Sequence, residues 1–171
     1  MFELKSISSA GIPRAVAKAE RYRLLNEPQE AESICRDILR VEPDNQEVLV
    51  MLLLSITDQF GKSAGAGIDQ ANKVLDKVRG EYEQAYYAGV IRERWAKSQM
   101  RGSAYHGNAA GFFIEAMDFY ARAMAASPSG NDDAILRWNA CVRFIQQNPQ
   151  LSAEAGEAAS ESGFPDGAPA R

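Results

Sequence analysis

The chain is poor in the residues that carry most chemistry. Its 171 residues include one histidine, His106, and two cysteines, Cys35 and Cys141. A single histidine without Cys or carboxylate neighbours at ligand spacing makes no zinc site. As a general base it would need an oriented nucleophile, and the sequence offers none. Each cysteine sits inside an apolar helical pattern, which reads as a small buried side chain in a reducing compartment, with a Cys35–Cys141 disulfide as the alternative. Long hydrophobic runs are missing too. The longest spans Val48 to Leu54, far short of a membrane crossing. Met1 to Ala19 has no signal-peptide core and is interrupted by Pro13-Arg14. A basic excess is also absent: 19 Lys and Arg stand against 23 Asp and Glu, for a formal net charge of -4. That argues against a dominant phosphate-binding surface. The expectation is a cytoplasmic protein with no cofactor, no membrane partner and no nucleic-acid partner.

What is present is helical periodicity. Hydrophobic residues make up 46% and charged residues 25%, an ordinary globular balance with enough length for one continuous core. One spacing occurs twice: Ala31, Cys35, Ile38-Leu39 and Pro43 repeat at the same intervals as Ala116, Tyr120, Ala123-Met124 and Pro128. Apolar stripes and stop signals predict seven helices, over 13–25, 28–41, 46–59, 68–79, 81–100, 108–126 and 133–147. The third is apolar almost all round and should be the most covered. Gly61-Lys62-Ser63 begins a Gly-rich connector running to Gly67 and is not a phosphate loop, because a helix and not a strand precedes it and Ile56 stands where the motif needs Gly. The expected organisation is an N-terminal segment over 1–12, a helical repeat domain over 13–149 and a disordered, weakly acidic tail over 150–171.

The repeated spacing resembles the tetratricopeptide repeat family, whose 34-residue unit runs W-x2-L-G-x2-Y, then A-x3-F, then P. Ala15, Ala19, Tyr22, Ala31, Cys35 and Pro43 fall on those positions in register. The second unit departs from the pattern, with the Gly-rich connector inserted and Arg79-Gly80 in place of the closing Pro. The third carries a larger insertion, including the Gly102–Gly107 loop, and Arg92 where Tyr is usual. The resemblance covers about Pro13 to Gln147. It implies an all-α, right-handed helical-repeat solenoid of about three hairpins, with Asp133 to Gln147 as a C-terminal capping helix.

The resemblance also implies a concave face built from the first helix of each hairpin. It would comprise Val16, Glu20, Arg23, Val50, Leu54, Asp58, Tyr86, Val90, Glu93, Asn139 and Arg143. Apolar in the middle and charged at its edges, this face suits a peptide or helix of a protein partner, with Leu54 and Tyr86 as anchors and Glu20, Arg23 and Arg143 for orientation. Val16 and Glu20 stand where related modules that hold a C-terminal carboxylate use Lys and Asn, and Glu20 would repel such a group. The function expected is thus a non-enzymatic adaptor or assembly scaffold. Three other readings compete. Exposed Phe112, Phe113 and Trp138 would support a homodimer. Tyr105 and His106 would have to supply any catalysis. Arg92, Arg94, Lys97 and Arg101, with Trp95 between them, would touch nucleic acid, against the plainer reading of a solvated helix face.

Overall fold

The computed structural model describes residues 2–62, 67–100 and 108–154. Its regular elements are a 3-10 turn at Ser9–Gly11 and seven α-helices: α1 Ile12–Leu24, α2 Pro28–Val41, α3 Gln46–Thr57, α4 Ile68–Leu75, α5 Glu81–Gln99, α6 Ala109–Ala125 and α7 Asp133–Gln146. No strand occurs among the described residues.

Local chemistry sets the boundaries. Pro13 lies in the first turn of α1 and Pro28 in that of α2, where a missing N–H leaves no bond unmade. Between these helices Asn26 adopts φ +59°, and the Glu27 N–H reaches the Tyr22 carbonyl at 2.9 Å while the Asn26 N–H reaches that of Arg23 at 3.0 Å. This left-handed C-terminal turn reverses the chain within a few residues, and Asn tolerates it better than most side chains. Asn45 caps α3 by accepting the Val48 N–H at 3.1 Å.

One helix is shorter than its periodicity predicts. α4 ends at Leu75 and not near residue 79, because side chains from other elements take over its last backbone groups. The Gln84 amide donates to the carbonyls of Leu75 and Val78, and Gln46 Oε1 accepts the Arg79 N–H at 2.7 Å. Such tertiary capping is invisible to a helical-wheel reading.

Every helix packs on its successor in the chain, and α3 also touches α1 and α5. α3 is accordingly the most enclosed: Val48, Leu49, Leu53, Ser55 and Ile56 are all but completely buried. Ala19 and Ala31, and later Ala116 and Ala123, have no exposed surface, as helices in close approach require. Two main cores result. The first, aliphatic, joins α1 to α5 through residues such as Ile38, Leu53, Ile56 and Ile91. The second joins α5, α6 and α7 through Val90, Phe113, Tyr120 and Cys141, and includes Leu151.

That last residue corrects the expected domain boundary. Helical backbone continues over 149–154 and Leu151 has no exposed surface, so the packed region extends beyond 149. The homodimer surface also needs correction. Phe113 is fully buried, and Phe112 and Trp138 are half-buried against the same core, so these aromatics serve packing and present no open patch. The two cysteines are free and buried in different clusters, Cys35 in the first and Cys141 in the second.

Candidate functional site

The odd-numbered helices, together with the turns that follow α1 and α3, converge on a polar cleft of about 300 Å³. The turn after α1 supplies Asn26, and Arg23 of α1 reaches the cleft only through its pairing with Asp58. The end of α3 and the turn beyond it supply Thr57, Asp58, Phe60 and Lys62. α5 supplies Glu93, Arg94, Lys97 and Ser98, and α7 supplies Arg137.

Two carboxylates organise this cleft. Asp58 accepts from Arg23 Nε at 3.1 Å on one oxygen and from Arg94 at 2.5 Å on the other, so one side chain ties α1, α3 and α5 together. The same Arg94 nitrogen donates to Thr57 Oγ1 at 2.7 Å and to the Leu54 carbonyl at 3.2 Å. Burial lowers the pKa of Arg94 and Asp58 opposes that shift.

Glu93 is the second centre, and it is fully buried. Tyr120 on α6 donates to Oε2 at 2.7 Å and Lys97 donates to Oε1 at 2.6 Å. Arg137 Nε lies 3.2 Å from Oε2, an ion pair whose N–H is not aligned as a hydrogen bond. A buried carboxylate is costly unless cations and donors surround it, as Lys97, Arg137 and Tyr120 do here. Burial raises the Tyr120 phenol well above its ordinary value, and the adjacent Glu93 charge raises it further. For Arg137, burial disfavours the charge, but Tyr120 and Glu93 more than offset it and its pKa rises.

The close α5–α6 approach behind this arrangement depends on Gly89. A Cβ added there would lie 2.6 Å from the Tyr120 ring. The missing side chain lets that ring rest on α5, and one turn further along Glu93 receives its hydroxyl.

Of the residues expected on the partner face, Asp58 and Glu93 line the cleft, while Arg23 pairs with Asp58 and the Leu54 carbonyl accepts from Arg94. Val16 and Val50 are half-buried against the first core, and Leu54 packs against both main cores. Val90 is 2% exposed and belongs to the interior. Tyr86 is half-buried, stacked on Tyr82 at 5.6 Å and edge-on to Tyr87 at 5.1 Å. Glu20 and Arg143 are exposed and Asn139 is half-buried, and none of them lines the cleft.

The basic stretch of α5 divides between two faces. Arg94 and Lys97, three residues apart, face the cleft, whereas Arg92 pairs with Glu115 on α6 at 2.7 Å. Trp95 packs edge-on against Phe60 at 5.2 Å. The sequence reading missed Lys62, Arg94, Lys97 and Arg137 as members of one site. The i, i+3 spacing of Arg94 and Lys97 beside Glu93 was the available signal. Tyr105, His106, Arg101, Ser63 and the segment 155–171 lie outside the described residues.

Among the described residues, no group of three or more His, Cys, Asp and Glu is placed to hold a metal ion, and no helix is long and apolar enough to cross a membrane. Burial pushes the thiols of Cys35 and Cys141 up to about 12, so neither is a nucleophile near neutral pH. The chain matches no family model, no curated protein and no solved structure.

Proposed function

We propose that this protein is a non-enzymatic interaction module, a tetratricopeptide-like right-handed stack of helical hairpins that holds an acidic segment of a protein partner in the cleft. The observation that carries the reading is the charge of that cleft. On a chain of net charge -4, four cations (Lys62, Arg94, Lys97 and Arg137) line the cleft beside two carboxylates, and Arg23 pairs with one of these, Asp58. Those two carboxylates fix Arg94, Lys97 and Arg137 in place, and the surplus positive charge is left for a ligand. Exposed Leu24 and Leu25 stand just before Asn26 in the chain, and exposed Ile135 and Leu136 just before Arg137. This combination suits a peptide with carboxylates in the middle and apolar flanks. The buried, separated thiols fit a reducing, cytoplasmic setting.

The test is a selection from a displayed peptide library against the full chain. The expected winners are enriched in Asp and Glu, and lose about tenfold in affinity with Lys62→Glu combined with Lys97→Gln, two variants that leave Arg137 and Tyr120 on Glu93. Glu20→Lys serves as a control that changes nothing. Winners without acidic enrichment, or binding indifferent to the Lys62 and Lys97 changes, would overturn the reading.

A further inference from the structure

A second hollow has a different character. It is an open groove of about 830 Å³ between α2 and α4, floored by α3. Its floor is closed by the buried Leu49 and Leu52 of α3, and its inner walls offer the half-buried Leu39 of α2 and Val74 of α4. α2 with the turn beyond it presents Arg36, Leu39, Arg40 and Pro43 to it, and α4 with the turn beyond it presents Gln70, Lys73, Val74 and Lys77. Each set follows the i, i+3, i+4, i+7 spacing of one helix face.

The groove thus has an apolar bottom and a cation on each wall at two levels, with Asp76 as the one acidic lining residue. Arg36 is held by Glu32 on its own helix at 2.6 Å. Arg40, Lys73 and Lys77 are exposed, and their side chains make no hydrogen bond or ion pair among the described residues. Leu4, 77% exposed, extends the apolar lining at the edge, and fully exposed Phe2 lies two residues before it.

We infer that this groove is a second docking site, independent of the cleft, and that its occupant is an acidic amphipathic helix of a partner protein. A concave trough with an aliphatic floor accepts one apolar helical stripe. Cations on both walls call for Asp or Glu on both flanks of that stripe. A flat anionic membrane would meet the rims but leave the half-buried Leu39 and Val74 on the inner walls uncovered.

The probe is a labelled synthetic helix with a leucine stripe flanked on both sides by glutamates, titrated into the full chain and followed by fluorescence anisotropy. Saturable binding is expected, weakening as salt rises and falling at least tenfold in the Arg40→Glu, Lys73→Glu, Lys77→Glu triple variant. Circular dichroism should show that variant as helical as the parent. Lys62→Glu, in the cleft, should leave this binding unchanged, which separates the two sites. Equal binding of a sister helix with lysine flanks would overturn the inference, as would binding unaffected by the triple variant. So would three other results: retention on anionic vesicles lost in the triple variant without helix binding; a dimer in light scattering that the triple variant abolishes; or helix binding that appears only after Glu157→Gln, Glu161→Gln and Asp166→Asn. These would assign the groove to a membrane, a second copy or the chain's own C-terminal segment, respectively.

Discussion

The cleft and the groove are both lined by an excess of cations, yet those cations stand in opposite relations to the fold. In the cleft, Arg23, Arg94, Lys97 and Arg137 are each engaged by Asp58 or Glu93. In the groove, Arg40, Lys73 and Lys77 make no ion pair among the described residues, and the walls are joined by the apolar floor and by the Gln70 amide donating to Glu32 at 3.2 Å. Charge that is paired and buried holds helices in register and is costly to disturb. Charge that is exposed and unpaired contributes little to folding and is free to select a partner. Equal sign therefore does not mean equal role, and the contrast predicts very different responses to substitution.

The largest response belongs to Glu93. Glu93→Ala would leave Lys97, Arg137 and the Tyr120 hydroxyl around a site with no carboxylate, so a loss of about 3–5 kcal/mol is expected in denaturant unfolding. A loss under about 1 kcal/mol would show that the cleft's charges are as dispensable as the groove's. Gly89→Ala comes next, since its Cβ would strike the Tyr120 ring, and should cost about 1–3 kcal/mol. Tyr120→Leu should relieve most of that clash in the double variant while forfeiting the bond to Glu93. A cycle built from both singles and the double separates the two effects.

How much of this was legible in the sequence follows from the distance over which each signal acts. Helix existence was readable because periodicity and Pro stops are local: α2 was expected over 28–41 and forms there. The end of α4 was not, since Gln46 and Gln84 terminate it from other helices. Of the expected partner face, Asp58 and Glu93 line the cleft and Arg23 pairs with Asp58, but the hairpin register does not say how deep a residue sits, and Val90 lies in the interior. Arg137 and Lys62 were unreadable as site members because they reach the cleft from different parts of the chain. The groove went unnoticed because its walls combine residues more than thirty positions apart, and neither stripe alone differs from an ordinary amphipathic helix.

Two intermediate effects sharpen the comparison. Asp58→Ala removes the acceptor shared by Arg23 and Arg94. Because these side chains are about a quarter exposed, water compensates in part, and a loss of about 1–2 kcal/mol is expected in thermal or denaturant unfolding. The buried thiols give a pH signature. Cys35 and Cys141 each keep their proton up to about 12 when folded, but titrate from 9.0 when unfolded. Between those values the folded state binds more protons, so stability must fall as pH rises through this window and be insensitive to these groups below it. Cys35→Ala and Cys141→Ala should each flatten that alkaline decline. A slope unchanged in both would mean that other groups carry it.

The smallest effect is expected at the groove, and it is the one that decides whether the comparison is sound. Reversing Arg40, Lys73 and Lys77 to Glu takes the formal net charge from -4 to -10, a large change for the whole chain. If stability followed global charge, the triple variant would be clearly weakened. If it follows local partners, nothing is broken, because these side chains have none among the described residues, and reversing Lys73 and Lys77 merely adds acidic side chains on either side of Asp76. At physiological ionic strength charges more than about 8 Å apart are largely screened. The unfolding free energy should therefore stay within about 0.5 kcal/mol of the parent. A modest loss that appears at low salt and vanishes at high salt would still be long-range repulsion. A loss above about 1 kcal/mol that persists in high salt would mean that the groove's cations hold the fold together as the cleft's do, and the division of labour between the two hollows would fail.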